Sequence, residues 1–302
     1  MFLLLVPALV FFAVSTERGT RSLLASVSLL GPVEIEYGSG TLSGPLHLNR
    51  LHYESGDLRL TLDDVVAEGA MDCFWRGAVC FRQLQVRHLD LAVSADSQPP
   101  DVDALDVEPA QLVTFPLSIE AVSLAVNATR IHWSGGEWRA GPIHGRVRLV
   151  ESRIEVLDAV MNQTSLVLDE VEDETTPPGP RSFPAIDLPL ALSVAELKLI
   201  DPRWSFSGSD YRQDSISLAG RWRRSLMRIT QLEISDSARG QVSLHAALDF
   251  SGDWPLQAIA EVELAEPLLG LSVLGRDIAV EATGSLKSLA LELSSLGTVN
   301  VS

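Results

Sequence analysis

Basic residues are scarce in this sequence. Its 302 residues include 23 Lys and Arg against 40 Asp and Glu, which gives a formal net charge of −17. A protein that binds nucleic acid through the phosphate backbone needs clustered positive charge, so this class of partner is excluded. The same acidity argues against adsorption of the whole chain onto an anionic lipid surface. Any contact with a membrane must therefore be apolar.

A complete membrane-spanning run is also lacking. Residues Met1–Val14 are uncharged, but a helix needs about 20 apolar residues to cross a bilayer. No basic segment precedes them, and no small-residue cleavage site follows. We interpret residues 1–15 as a partial transmembrane anchor, with a cleaved signal peptide as the alternative, and both place the rest of the chain outside the cytoplasm. The predicted anchor residues are Phe2, Leu3, Leu4, Leu5, Val6, Leu9, Val10, Phe11 and Phe12.

Cysteine is limited to two residues, Cys73 and Cys80. In an oxidising compartment a pair this close in sequence can form a disulfide. Two buried thiols on neighbouring strands are the alternative. Metal binding is not indicated, because further ligands of the right kind are absent nearby.

Signatures of catalysis are lacking as well. Ser43 does not lie in the G-x-S-x-G spacing of a nucleophile elbow. The histidines are scattered without the spacing of metal ligands, and His47, His132 and His245 fall within alternating runs, where we expect them to point outward. We therefore predict no catalytic residue, no metal and no cofactor.

What the sequence has in abundance is alternation. Beyond Gly31, short runs place an apolar side chain at every second position, which is the period of a strand with one buried face. The alternation slips by one residue at Leu89 after Val86 and at Leu197 after Val194, which indicates bulges or tight corners. Clear runs include residues 58–62, 122–126, 190–194, 242–250, 262–264, 278–282 and 289–293.

Helices that could cover this apolar face are missing. Only Thr20–Leu30 fits a short amphipathic helix, with Leu23, Leu24, Val27 and Leu30 on one side. The strands must then close on themselves as a sandwich or barrel, roll around a ligand that is not protein, or aggregate. The alternation alone does not decide between a sandwich and a rolled sheet.

Two acidic, proline-bearing stretches interrupt the strands and are typical of exposed loops or linkers. Their carboxylates are better explained as solvated charge than as a metal site. The predicted divisions are the anchor at 1–15, a membrane-proximal helix and sheet start at 16–97, a spacer at 98–112, a β block at 113–168, a second spacer at 169–185, and repeating β units at 186–302.

Several segments resemble, in order along the chain, the N-terminal part of the TamB family of Gram-negative bacteria. Cys73, Trp75, Val79 and Cys80 match the family's Cys-x-Trp-loop-Val-Cys element. After the first spacer, residues 115–119 (FPLSI) match a strand that opens a new block. After the second spacer, residues 186–194 resemble the start of a repeating β unit, and residues 249–256 (DFSGDWPL) match a recurring strand-turn-Trp-Pro element.

The resemblance implies an all-β fold, in which an elongated, rolled or U-shaped sheet (a β-taco) with an apolar trough follows an N-terminal membrane helix and a short amphipathic helix. It implies a single-pass inner-membrane protein whose bulk lies in the periplasm. Such a protein is not an enzyme. It passes phospholipid acyl chains toward the outer membrane, and a TamA-like outer-membrane barrel is its partner through a C-terminal part beyond this chain.

Under this resemblance, inward-facing aliphatic residues are the predicted lipid contacts, and an ordinary sandwich core is the alternative. Trp254 is expected to pack in a turn, and Trp75 to cover the disulfide or the membrane-proximal end of the sheet. The predicted trough residues are Leu190, Leu192, Val194, Val242, Leu244, Leu248, Val262 and Leu264.

Two other functions compete with the lipid conduit. A periplasmic assembly platform would bind the strands of unfolded outer-membrane or autotransporter proteins along exposed sheet edges. A β-sandwich hydrolase acting on envelope glycans would need two convergent carboxylates on one strand face, and the sequence does not identify such a pair.

Overall fold

The structure is a computed structural model. It describes residues 12, 14–56, 58–70, 73, 77–93, 118–133, 135–168, 187–206, 209–265, 277–285 and 287–295. Within these ranges helix α1 (Glu17–Leu30) precedes 18 strands that belong to a single sheet. The strands do not close into a barrel or form the second layer of a sandwich. The all-β class predicted from the alternation is confirmed.

Most strands alternate between covered and exposed positions, as the sequence pattern predicts. Their bounds are β1 Val33–Gly40, β2 Pro45–Ser55, β3 Leu58–Ala70, β4 Ala78–Val93, β5 Ser118–Trp133, β6 Gly136–Ala140, β7 Ile143–Val150, β8 Arg153–Asn162, β9 Ser165–Leu168, β10 Leu188–Ile200, β11 Arg203–Phe206, β12 Ser209–Arg212, β13 Ser215–Arg224, β14 Leu226–Asp236, β15 Gly240–Asp249, β16 Pro255–Leu264, β17 Asp277–Ser285 and β18 Ser288–Ser295.

Helix α1 begins three residues before the predicted Thr20. Thr16 caps it, because its hydroxyl accepts a hydrogen bond from the Gly19 amide at 3.1 Å, and Glu17 places a negative charge in the first turn. The predicted anchor residues Phe2–Phe11 lie outside the described residues. No helix in the described part of the chain is long and apolar enough to cross a membrane.

The sheet is mainly antiparallel and follows chain order. Strands β1 to β4 and β13 to β18 form two antiparallel meanders, each strand pairing with the next. The pairs β4–β5, β8–β10 and β9–β11 are parallel. These parallel pairs occur where the chain passes through residues 94–117 and 169–186, which include both predicted spacers and lie outside the described residues. A parallel pair requires the chain to return to the same edge of the sheet before the next strand begins.

A line of interruptions crosses the middle of the sheet. Four neighbouring strands of the sheet are each interrupted by two residues, so that a short strand and a longer strand lie in line. The interruptions are at 141–142, 163–164, 201–202 and 213–214. Backbone hydrogen bonds join these breaks to one another: the Gly141 amide donates to Asn162 at 2.9 Å, and the Asp201 amide donates to Asp214 at 3.0 Å. Gln163 and Asp201 adopt positive φ, of 53° and 54°. The breaks therefore separate a short column (β6, β9, β11, β12) from the longer strands.

One of the two predicted phase slips is a register irregularity in the structure. In β10 the register shifts between Val194 and Leu197, so both side chains stay on the same face despite the odd spacing. In β3, Asp64 adopts a φ of 55° between the pairs that join Val65 to Val86 and Asp63 to His88. The predicted bulge is confirmed at Leu197, whereas at Leu89 the pairing of β4 with β3 keeps one register and the predicted bulge stays a prediction.

Candidate functional site

One face of the sheet is apolar from its first strand to its last. Direct cross-strand partners give an unbroken row of apolar side chains, because each residue of the row lies opposite the next. The row is Tyr37, Leu48, Val65, Val86, Val126, Ile143, Met161, Leu199, Ile216, Ile234, Val242, Val262 and Ile278. We call the surface that contains this row the apolar face.

Further rows run beside the first and widen the apolar face. From β8 onward a second row consists of Ala159, Leu197, Leu218, Leu232, Leu244, Ala260, Val280 and Leu293. A third row nearer the strand ends consists of Ile154, Leu192, Trp222, Met227, Leu248 and Leu256. A chain of methylene groups lying along these rows would therefore meet apolar side chains at every strand.

All eight predicted trough residues lie on the apolar face. Val242, Leu244 and Leu248 oppose Val262, Ala260 and Leu256 across the β15–β16 pair. Leu192 and Val194 oppose Trp222 and Gly220. Leu190 has the same parity as Leu192 in β10, and Leu264 lies opposite Gly240. The structure thus brings the predicted residues together on one surface, and their contact with lipid stays a prediction.

On β15 to β17 the opposite face is mainly polar, although Ile259 lies on it and is 53% exposed. Between the apolar positions of β15 to β17 lie Gln241, Ser243, Glu261, Glu263 and Asp277. The three histidines expected to point outward also alternate with apolar-face residues. His47 lies between the buried Leu46 and Leu48, and His245 lies between Leu244 and Ala246. On these strands the sheet therefore separates an apolar surface from a mainly polar one across a single layer.

The apolar face is covered at its start by helix α1. Leu24 packs against the cluster of buried residues on β2 to β7, together with Ile35 and Tyr37 of β1. Thr20 is fully buried, and its hydroxyl accepts a hydrogen bond from the Leu42 amide at 3.1 Å. Of the other residues predicted on the apolar side of the helix, Leu23 and Val27 are exposed.

Polar contacts fix the end of the helix that carries Thr16 against β1. The Arg21 guanidinium lies 4.9 Å from the centre of the Tyr37 ring, and the Tyr37 hydroxyl donates a hydrogen bond to the Gly40 carbonyl at 2.7 Å. Burial, with a smaller contribution from Glu17, raises the pKa of Tyr37 above its ordinary value of 10.0. The phenol is thus held in the neutral form that the hydrogen bond requires.

At the last strand the apolar face is open. Leu291 and Leu293 of β18 are 64% and 59% exposed, although they oppose Ala282 and Val280 on the apolar face. Isolated exposed leucines are common, but a row of them on one strand marks a surface that can bind an apolar partner.

The two cysteines lie at the turn between β3 and β4. The structure joins Cys73 to Cys80 in a disulfide with a Cα–Cα distance of 5.8 Å. Cys80 is buried and pairs with Ala70, so the bridge closes the turn beside the covered part of the sheet. Trp75 lies outside the described residues.

Trp254 occupies the turn between β15 and β16, where its φ is 56°. Its ring meets Phe250 edge-on with centroids 4.8 Å apart, and Phe250 in turn stacks on Trp222 at 4.8 Å. Sequence reasoning assigned Trp254 to turn packing but missed Trp222, because only the pairing of β13 with β14 and β10 brings it onto the apolar face.

Several carboxylates on the strands are held in ion pairs. The Arg148 guanidinium lies 2.6 Å from Glu155 and, with Arg153, lowers the pKa of that carboxyl. A hydrogen bond from His47 likewise lowers the pKa of Asp64. Among the described residues no group of three or more His, Cys, Asp or Glu could hold a metal ion.

The comparison with protein families agrees with this geometry. No solved structure matches the chain. The model of the TamB N-terminal domain matches residues 5–302. Because this match covers nearly the whole chain, it confirms the resemblance found in the sequence motifs, and the protein belongs to the TamB N-terminal domain family.

Proposed function

We propose that this chain passes phospholipid acyl chains along its apolar face, as an inner-membrane-anchored conduit and scaffold for outer-membrane biogenesis. The observation that carries the proposal is the unbroken apolar row from Tyr37 in β1 to Ile278 in β17. The TamB family takes part in transport and assembly in the cell envelope, and membership of this family supports the proposal. In this proposal the sheet curves into a U-shaped trough, and a TamA-like barrel receives the lipid at the far end.

The energetics of such a surface suit transport. Each methylene group of an acyl chain recovers about 0.8 kcal/mol when it leaves water for an apolar surface. The rows hold aliphatic side chains of similar size at successive strands, so a bound chain meets a nearly uniform surface as it moves. No charged side chain occupies the rows of the apolar face among the described residues. Binding is thus favourable along the face, and no position of these rows holds the acyl chain more strongly than its neighbours.

The proposal is tested by placing a charge on the apolar face. Leu244→Asp puts a carboxylate in the middle of the rows, and His245→Asp puts the same charge on the neighbouring residue of the opposite face. Native mass spectrometry and lipid extraction of the purified protein should find phospholipid on the wild type and on His245→Asp, and little on Leu244→Asp. Circular dichroism must show that all three proteins keep their sheet. Equal lipid on Leu244→Asp and the wild type would contradict the proposal.

The exposed edge strand favours a second function. β18 pairs on one side with β17, and no strand pairs with its other side in the described part of the chain. We propose as the alternative that an unfolded outer-membrane protein adds a strand to this edge. Replacing Ala290 with proline would block such pairing and leave lipid binding unchanged, which a binding assay with a fluorescent outer-membrane strand peptide would detect.

A further inference from the structure

Near its open end the apolar face has one acidic edge, while the other edge carries a basic cluster together with the carboxylates Asp249 and Asp253. At the edge where β13 begins, Asp214, Asp236, Glu263 and Asp277 follow one another on successive strands or turns. At the other edge the β13–β14 hairpin has the sequence RWRRSLMR, residues 221–228. This basic cluster stands out in a protein with a formal net charge of −17.

The arginines of this hairpin form no ion pair with any residue in the described part of the chain. Arg221 and Arg228 are direct cross-strand partners, an arrangement in which like charges repel. No carboxylate of the described residues forms an ion pair with Arg221, Arg223, Arg224 or Arg228, and all four are exposed. The cross-strand partner of Arg221 is Ser193, and the next partner along that row is Glu155. This carboxylate already forms ion pairs with Arg148 and Arg153. The cluster therefore has free capacity for an anion.

Aromatic side chains lie between this cluster and the apolar face. Trp222, Phe250 and Trp254 form one stacked group, and Trp222 and Phe250 continue the alternation that places Leu248 on the apolar face. The indole nitrogen of Trp222 donates a hydrogen bond to the Arg224 carbonyl at 2.8 Å. Tryptophan next to arginine is typical of protein surfaces at the boundary between the acyl chains and the headgroups of a membrane.

We propose that the β13–β14 hairpin binds the phosphate of a phospholipid headgroup, that Arg223 and Arg224 contact it at the rim, and that the headgroup class preferred is anionic. The inference rests on the proposed function, because the acyl chains of the same lipid would lie on the apolar face beyond Trp222. Arg221 and Arg228 add positive potential from the polar face. The acidic edge across the sheet repels the headgroup, so the lipid is held in one orientation.

The test compares two lipids on the full chain. The protein in detergent is mixed with equal amounts of phosphatidylglycerol, which is anionic, and phosphatidylethanolamine, which is zwitterionic, and bound lipid is counted by native mass spectrometry at low salt. The wild type should bind phosphatidylglycerol about threefold more than phosphatidylethanolamine, since exposed ion pairs give modest preferences. The double variant R223Q/R224Q should bring this ratio close to one, mainly by lowering the amount of bound phosphatidylglycerol. The control R239Q, at the acidic edge, should keep the wild-type ratio.

A ratio that is unchanged in R223Q/R224Q, or equal to one in the wild type, would overturn the inference while leaving the lipid face intact. An absence of both lipids from the wild type would overturn the proposed function as well. Inorganic phosphate is also added to the protein, with and without lipid. If phosphate binds equally well in both cases and abolishes the preference for phosphatidylglycerol, the hairpin is a site for free anions, which would contradict the headgroup assignment. If R223Q/R224Q does not fold, R221Q/R228Q replaces it, since removing a like-charge pair does not disturb the sheet, and its ratio should also fall.

Discussion

The beginning and the end of the sheet use the same alternation to different effect. On β2 to β5, Leu48, Val65, Val86 and Val126 of the apolar row are at most 6% exposed. On β14 to β16, Ile234, Val242 and Val262 of the same row are only half-buried, and the leucines of β18 are largely exposed. The residue types are alike in both regions. Leu24 of helix α1 packs with the first region, whereas outside it Ile216 and Ile278 of the row are also buried, at 5% and 7% exposure.

This difference shows that strand patterning alone does not make a core. An apolar strand face becomes a core only when a second layer covers it. In the first region Leu24 of the helix packs on the buried cluster and contributes to that cover. In the second region the same pattern leaves a surface that a ligand can occupy, which is the physical basis of the proposed conduit.

The largest expected effect is on the stability of the covered region. Leu48→Ala should lower the free energy of unfolding by about 3 kcal/mol, because it opens a cavity in a fully packed site. Leu244→Ala removes the same atoms from a half-buried site on β15, and it should cost about 1 kcal/mol. Urea titration followed by circular dichroism measures both. Equal losses in the two variants would remove the distinction between the covered and open regions.

The disulfide should contribute nearly as much to the covered region. Closing a loop of this size is expected to stabilise the protein by about 2.5 kcal/mol. A double substitution of Cys73 and Cys80 by serine should therefore destabilise the covered region by that amount and leave lipid binding unchanged. Non-reduced protein should have a mass about 2 Da below that of the reduced chain, as expected for one disulfide. Ready alkylation of both thiols without reductant would contradict the bridge.

The smallest expected effect is on the pH dependence of stability. The arginines beside Glu155 hold the pKa of its carboxyl below the ordinary 4.5, so the pair stabilises the fold above pH 4.5. This contribution is lost as the pH falls below 4.5 and through the lower pKa of the folded state. Glu155→Gln should therefore flatten the loss of stability in acid. As a control we choose Glu261→Gln, which removes a carboxylate that has no ion-pair partner among the described residues, and it should leave the curve unchanged.

Much of this fold could be predicted from residue alternation. The strand runs at 190–194, 242–250 and 278–282, the phase slip at Leu197 and the short helix near Leu24 all follow from periods that a single sequence displays. The choice of one open sheet over a sandwich could not be predicted, because both present the same alternating pattern. Membership of the TamB family rested on motif order and not on this pattern.

The pairing of distant strands could not be predicted from the sequence either. Nothing in β4 or β8 indicates that its next partner runs parallel, since the connecting segments carry no periodic signal. The line of breaks at Pro142, Gln163 and Pro202 depends on residues that align only when the strands pair. The arginine cluster was missed for a related reason, because Arg221 and Arg228 become direct partners only through the β13–β14 hairpin.

The most direct test of the central claim is a photocrosslinking experiment at neighbouring positions of β16. A photoreactive amino acid replaces Ala260, on the apolar face opposite Leu244, or Ile259, which is 53% exposed on the other face. After illumination in cells, mass spectrometry of the purified protein detects any attached phospholipid. We predict lipid adducts at Ala260 and none at Ile259. Equal labelling at both positions, or none at Ala260, would contradict the claim that this face carries lipid.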